Sequence, residues 1–169
     1  MKKFLMKLLA GLVTLGCLFS IAACSPKLNI DKAEEALRAK EYEVEIERDP
    51  SFEGIDGLVE KSLYAERNED WIEIYEFTNK KTAKLYYQTK KNTYEAEIQV
   101  LEDCVTYYEH ILAEYDDDLD SNKIDELEDL VKGFEDEIEK YQEKMEAFGI
   151  NGKYVWEAND IDVIEDAAQ

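Results

Sequence analysis

Apolar residues recur along this chain with a spacing that changes from segment to segment, and each spacing predicts an element. Ala33, Ala36 and Leu37 fall on one face of Asp31–Lys40, a short helix with Asp31 as its N-cap. Tyr42, Val44 and Ile46 then alternate with Glu41, Glu43, Glu45 and Glu47, which predicts a strand with one buried and one wet face. Asp49-Pro50 and Gly54-Ile55-Asp56-Gly57 break that pattern into a loop. A second strand is expected over Leu58–Glu66 and a third over Trp71–Phe77, joined as a hairpin by the polar turn Arg67–Asp70. The third is apolar at both parities, which places it inside the sheet.

From Asn79, the expected cap of a long helix, the period lengthens. Ala83, Tyr86 and Tyr87 form a first apolar face suited to covering the sheet. Tyr94, Ile98, Leu101, Val105, Tyr108, Leu112 and Tyr115 then follow at steps of four and three. Ile124, Leu127, Val131, Phe134, Ile138, Tyr141, Met145 and Phe148 repeat that rhythm after a polar turn over Asp116–Lys123. Two such seams predict an antiparallel coiled-coil hairpin over about 94–148. Gly149-Ile150-Asn151-Gly152 reads as the helix stop. A fourth strand is expected over Lys153–Glu157, and a terminal helix over Asp160–Ala168 carrying Ile161, Val163 and Ile164. Residues 31–169 thus form a single α+β domain: a small antiparallel or mixed four-stranded sheet, flanking helices and an inserted helical hairpin.

The first 23 residues stand outside this domain. Lys2, Lys3 and Lys7 precede an apolar run from Leu8 to Phe19, the layout of an export signal. The run closes on Ile21-Ala22-Ala23-Cys24, which resembles the lipobox of bacterial lipoproteins. That resemblance implies a lipid on the Cys24 thiol, cleavage before it and acylation of the new amino terminus. Cleavage after Ala23 by an ordinary signal peptidase, or retention of Phe4–Ala23 as an anchor, would put the domain on the same extracytoplasmic side. Residues 24–30 then form a lipid-anchored linker, holding the domain within roughly 20 Å of the bilayer. With Cys17 in the signal and Cys24 carrying lipid, Cys104 is left as a lone thiol beside the seam, a structural position.

Charge narrows the partners. Three of the 20 Lys+Arg lie in the signal, which has no acid, so 17 face 41 Asp+Glu and the mature chain carries −24. Such acidity argues against nucleic acid, and against lying flat on anionic lipid. Asn79–Thr93 nevertheless holds Lys80, Lys81, Lys84, Lys90 and Lys91 with no acid, whereas the arms beyond it are strongly acidic. Two acidic arms leave charge available to a cation, a basic peptide or a basic protein.

Candidate chemistry is thin. Asp116, Asp118, Asp120 and Asn122 place oxygens at alternate positions, as the opening of an EF-hand loop does, and are weak metal candidates. Counted from Asp116, position six is Ser121 rather than Gly and position twelve is Leu127 rather than Glu, so the loop lacks its defining residues. His110 has no ligand partner at metal spacing and is expected to pair with Glu114. No nucleophile–base set or phosphate-cradling loop is legible, so neither catalysis nor a cofactor beyond the covalent lipid is expected. Tyr107 is expected at the surface.

The helix over Asp31–Lys40, the strands ending Ile72-Glu73-Ile74-Tyr75-Glu76-Phe77, the helical Ala83-Lys84-Leu85-Tyr86-Tyr87 and the closing Gly152-Lys153-Tyr154-Val155-Trp156 together resemble small, uncharacterised lipoproteins of Gram-positive bacteria. The likeness spans Asp31–Tyr87 and Lys153–Ala168. It implies an address and a fold, with no activity to transfer. The expectation is a membrane-tethered binding module, with a calcium-responsive hairpin tip as the alternative.

Overall fold

The computed structural model describes residues 26–53, 55–115 and 120–168. Helix α1 (Ile30–Ala39) leads into strands β1 (Glu43–Arg48), β2 (Val59–Arg67) and β3 (Asp70–Phe77). Two long helices follow, α2 (Lys80–Tyr115) and α3 (Ser121–Glu146), then β4 (Phe148–Asn151), β5 (Tyr154–Ala158) and α4 (Ile161–Ala167). The architecture is α+β, and every strand pair is antiparallel, in the order β1-β2-β3-β5-β4. β3 is central, as its apolar residues at both parities require.

One row of residues crosses the whole sheet: Ile46, Leu63, Ile74, Trp156 and Gly149 sit side by side. Because side chains alternate between faces, this row and the neighbouring Val44, Ala65, Ile72 and Ala158 all project to one side. There Ala33 and Leu37 of α1 and Val163, Ile164 and Ala167 of α4 cover them. On the opposite side Val59, Phe77 and Val155 meet Ala83, Tyr86, Tyr87 and Tyr94 of α2 and Tyr141 and Met145 of α3. Each fully buried aliphatic or aromatic side chain in these two layers contributes about 1.5–3 kcal/mol. The sheet is therefore covered on both faces, and the root of the helical pair is one of the two covers.

Several expectations are corrected. The sheet has five strands rather than four, because Phe148–Asn151 is a strand and not the end of a helix. α3 stops at Glu146 with Ala147 as its C-cap, so the hairpin is shorter than 94–148 and Phe148 belongs to the sheet. The physical reason lies across the strand pair. Gly149 opposes Trp156, and a Cβ on Gly149 would fall 2.3–2.8 Å from indole atoms. The glycine is a packing requirement of the sheet rather than a helix stop. α1 is capped by Asn29, whose side chain accepts from the backbone N–H groups of Asp31 and Lys32. Asp31 instead pairs with Lys61 of β2. Leu28 and Ile30 are buried in the core, so the domain begins inside the segment expected to be linker. The signal and Cys24 lie outside the described residues.

Asn79 caps α2 by accepting from the Thr82 N–H at 2.9 Å. Asp160 caps α4. Of its apolar residues Val163 and Ile164 are buried, while Ile161 is exposed.

Candidate functional site

The feature that sets this domain apart from a plain covered sheet is the pair α2/α3, and its seam explains how the pair stands. Ile98, Leu101, Val105, Tyr108 and Leu112 on α2 are half-buried, as are Ile124, Leu127, Phe134, Ile138, Tyr141 and Met145 on α3; Val131 is buried. The Tyr108 ring stacks on Phe134 with centroids 6.0 Å apart, and Tyr94 meets Tyr141 at the same separation. The helices therefore run antiparallel. Half-burial is what two helices without a third neighbour can give, because each seam residue is covered from one side only.

At the root the pair is fastened to the sheet. Tyr94 donates its hydroxyl to Glu157 Oε1 at 2.7 Å, and the Lys90 ammonium pairs with the same carboxylate. Burial opposes the Lys90 charge, yet the hydrogen bond and charge of Glu157 outweigh it and hold the ammonium above its ordinary pKa. Tyr94 is pushed up to about 12, first by burial and then by the hydrogen bond to Glu157. Around them Phe52, Tyr75, Phe77, Tyr86, Tyr87 and Phe148 form a continuous aromatic cluster, with Phe52 edge-on to Tyr75, Phe77 and Tyr86 at 4.8–5.4 Å. Glu157 was legible in principle. It shares a strand face with Val155, so an acid at that parity of a strand covered on both sides must find a cationic or hydroxyl partner.

A second polar knot closes the far end of the other layer. Lys40 pairs with Asp166 at 2.5 Å, Arg67 pairs with Asp70 at 3.1 Å, and the Arg67 guanidinium lies 4.3 Å above the Tyr42 ring. Tyr42 is pushed up to about 12 by burial, with Asp166 and Asp70 adding to it against the opposing charge of Arg67. Every polar group in both knots has a partner, as buried polar groups in stable folds do.

These two tyrosines, together with Tyr75 and Tyr86, whose phenols burial also pushes up, set an alkaline limit. A phenol in the unfolded chain ionises near pH 10, whereas Tyr42 and Tyr94 do so near 12 in the fold. The fold binds the neutral phenol better, so this contribution is complete below pH 10 and is lost as pH rises through 12. The melting temperature is expected to hold from pH 7 to 9 and fall between 10 and 12. Tyr94→Phe should reduce that slope. A melting temperature that is flat across the alkaline range would contradict the assignment.

Asp116 and Asp118 lie outside the described residues. Asp120 is the N-cap of α3, its Oδ1 accepting from the Lys123 N–H at 3.0 Å, and Asn122 is exposed in the first turn. Among the described residues no group of three or more His, Cys, Asp or Glu is placed to hold a metal ion. His110 pairs with Glu114 at 3.2 Å, Cys104 is free and half-buried, and Tyr107 is 60% exposed. Val100 and Leu130 are also exposed on the arms. No described helix is long and apolar enough to cross a membrane.

No family model matches the chain, and no curated protein or solved structure does.

Proposed function

We propose that the chain is an extracytoplasmic lipoprotein, tethered through Cys24, whose helical hairpin is a non-enzymatic contact arm for a basic protein or peptide. The observation that carries this reading is the division of labour along α2 and α3. Their root residues are engaged by the sheet, and their half-buried apolar residues face each other across an antiparallel helical pair. What faces outward beyond Tyr94 is acidic, with six Asp+Glu and no Lys or Arg on Tyr94–Tyr115. Exposed Val100, Tyr107 and Leu130 add apolar contacts within that field. Acidic surfaces of this kind speed capture of cationic partners and fix their register.

The test is a shortened arm. Deleting residues 99–136 across a short glycine-serine bridge keeps Tyr94, Tyr141, Met145 and Phe148, and with them the root. The expected result is a folded, membrane-bound protein that no longer crosslinks to its basic partner in the native envelope. Undiminished crosslinking would defeat the proposal. The alternative is a cation-responsive tip built on Asp116, Asp118, Asp120 and Asn122, and it is separated by a melting scan of the intact chain. A melting temperature unchanged by millimolar calcium removes it.

A further inference from the structure

Although the chain is strongly acidic, one face of the described domain is not. A depression of about 620 Å³ is lined by Lys27, Lys32, Lys80 and Lys153 together with Asn29, Asn151 and Tyr154, and no carboxylate residue lines it. Lys153 is neutralised by Glu60 and Glu76 at 2.7 and 2.6 Å. Lys27, Lys32 and Lys80 are exposed and have no ion-pair partner among the described residues. Lys80 and Lys81 also open α2, whose first turn holds no acid. Cations at that end oppose the helix dipole and cost stability.

The place of this face in the chain matters as much as its charge. Leu28 is fixed in the core, and Lys27, at the rim of the depression, lies three residues beyond Cys24. At full extension the four residue steps from Cys24 to Leu28 span at most about 14 Å. At the opposite extreme, α2 runs 36 residues from Lys80, about 54 Å at the helical rise, before the acidic arms turn. The acids of α2 begin at Glu95, 15 residues beyond Lys80 and about 22 Å away at the helical rise, so basic pole and acidic arm are separated along one helix.

We propose that the lysine-lined depression seats on the phosphates of anionic phospholipids, so that the domain stands on the bilayer with its hairpin directed away. Net charge alone speaks against such contact. The separation of charge along α2 reverses that conclusion, since the surface potential acts within a Debye length and reaches the basic pole but not the arms. The inference rests on the Cys24 anchor for the closeness it assumes.

The experiment uses the mature protein purified from its envelope and reconstituted in vesicles of phosphatidylcholine, alone or with phosphatidylglycerol. Lysines are acetylated with a water-soluble ester and their rates read by mass spectrometry. Lys27, Lys32 and Lys80 should react about fivefold more slowly when phosphatidylglycerol is present, while exposed Lys132 on the arm keeps its rate. Equal rates at the three lysines in both vesicles, or slowing shared by Lys132, overturns the proposal. Intact mass reads the anchor separately. If Cys24 carries no lipid, the anchor reading fails, and the face is judged by flotation of the same protein at low salt. Flotation with phosphatidylglycerol vesicles that is lost at high salt sustains it, and no flotation rejects it.

Discussion

Gly149→Ala is expected to destabilise the protein by about 3 kcal/mol, at the upper end of what overpacking a core costs. A Cβ at this position meets Cζ2, Cε2 and Nε1 of Trp156 at 2.3, 2.5 and 2.8 Å. Trp156 is itself buried, in the same core cluster as Leu63, Ile72, Ile74 and Val163, so the indole can move away only by displacing core neighbours. Either β4 peels from β5 or the indole leaves its place in the transverse row of the sheet. Urea unfolding checks this, with a lower midpoint and an unchanged slope marking lost stability rather than an altered unfolded state. Gly133→Ala is the control. It lies inside α3 with nothing within 4 Å of an added Cβ, and removing a mid-helix glycine should stabilise by about 0.5–1 kcal/mol. A Gly149→Ala loss below about 1 kcal/mol would mean that the indole does not lie across the glycine.

The same contact explains what sequence reading reaches and where it stops. Local patterns identify elements whose signal is carried by the element itself. The alternation of Tyr42, Val44 and Ile46, the two-sided apolarity of Trp71–Phe77 and the four-three rhythm after Tyr94 each find a strand or helix in the expected place. The cap at Asn79 is equally local. Gly149-Ile150-Asn151-Gly152 fails because a glycine after a helix has two physical explanations, a left-handed C-cap and a close approach. Only Gly152 has the positive φ, of 66°, in the turn between β4 and β5. The reason for Gly149 lies seven residues on, in a side chain that reaches it only once two strands pair.

Asn29 against Asp31 is a subtler case. Both residue types cap helices, and the choice depends on Leu28 and Ile30 entering the core, which no short window reveals. The candidate surface follows the same division. The seam and the acidity of the arms are local and legible. The fastening of the arm through Glu157 and the gathering of Lys27, Lys32, Lys80 and Lys153 around one depression join segments far apart in sequence.

Phe148→Ala is expected to cost about 3–4 kcal/mol and to loosen the hairpin from the sheet before the sheet itself unfolds. Phe148 belongs to β4, but its ring is stacked on Tyr87 at 4.9 Å and lies 6.0 Å from Tyr94 and 6.5 Å from Tyr86, all on α2. It is the aromatic wedge between the edge of the sheet and the base of the arm. Truncation leaves the Tyr86 ring against Phe52, Tyr75 and Phe77, the Tyr94–Glu157 hydrogen bond and the Lys90 pair as the remaining fastening. The two polar contacts weaken once water reaches them, because their strength depends on the partial burial that Phe148 provides. Phe134→Ala is the comparison within the arm: Phe134 is half-buried and stacks on Tyr108 alone, so it should cost about 1 kcal/mol. Hydrogen exchange resolves the two, with Phe148→Ala speeding exchange of amides in 83–94 and 141–147 and leaving those of β2 and β3 at the global rate. Equal effects of the two truncations would mean that the arm is held by its seam alone. In that case the root would not fix the arm's direction, and an arm free to swing would present its acidic surface to the bilayer as readily as away from it.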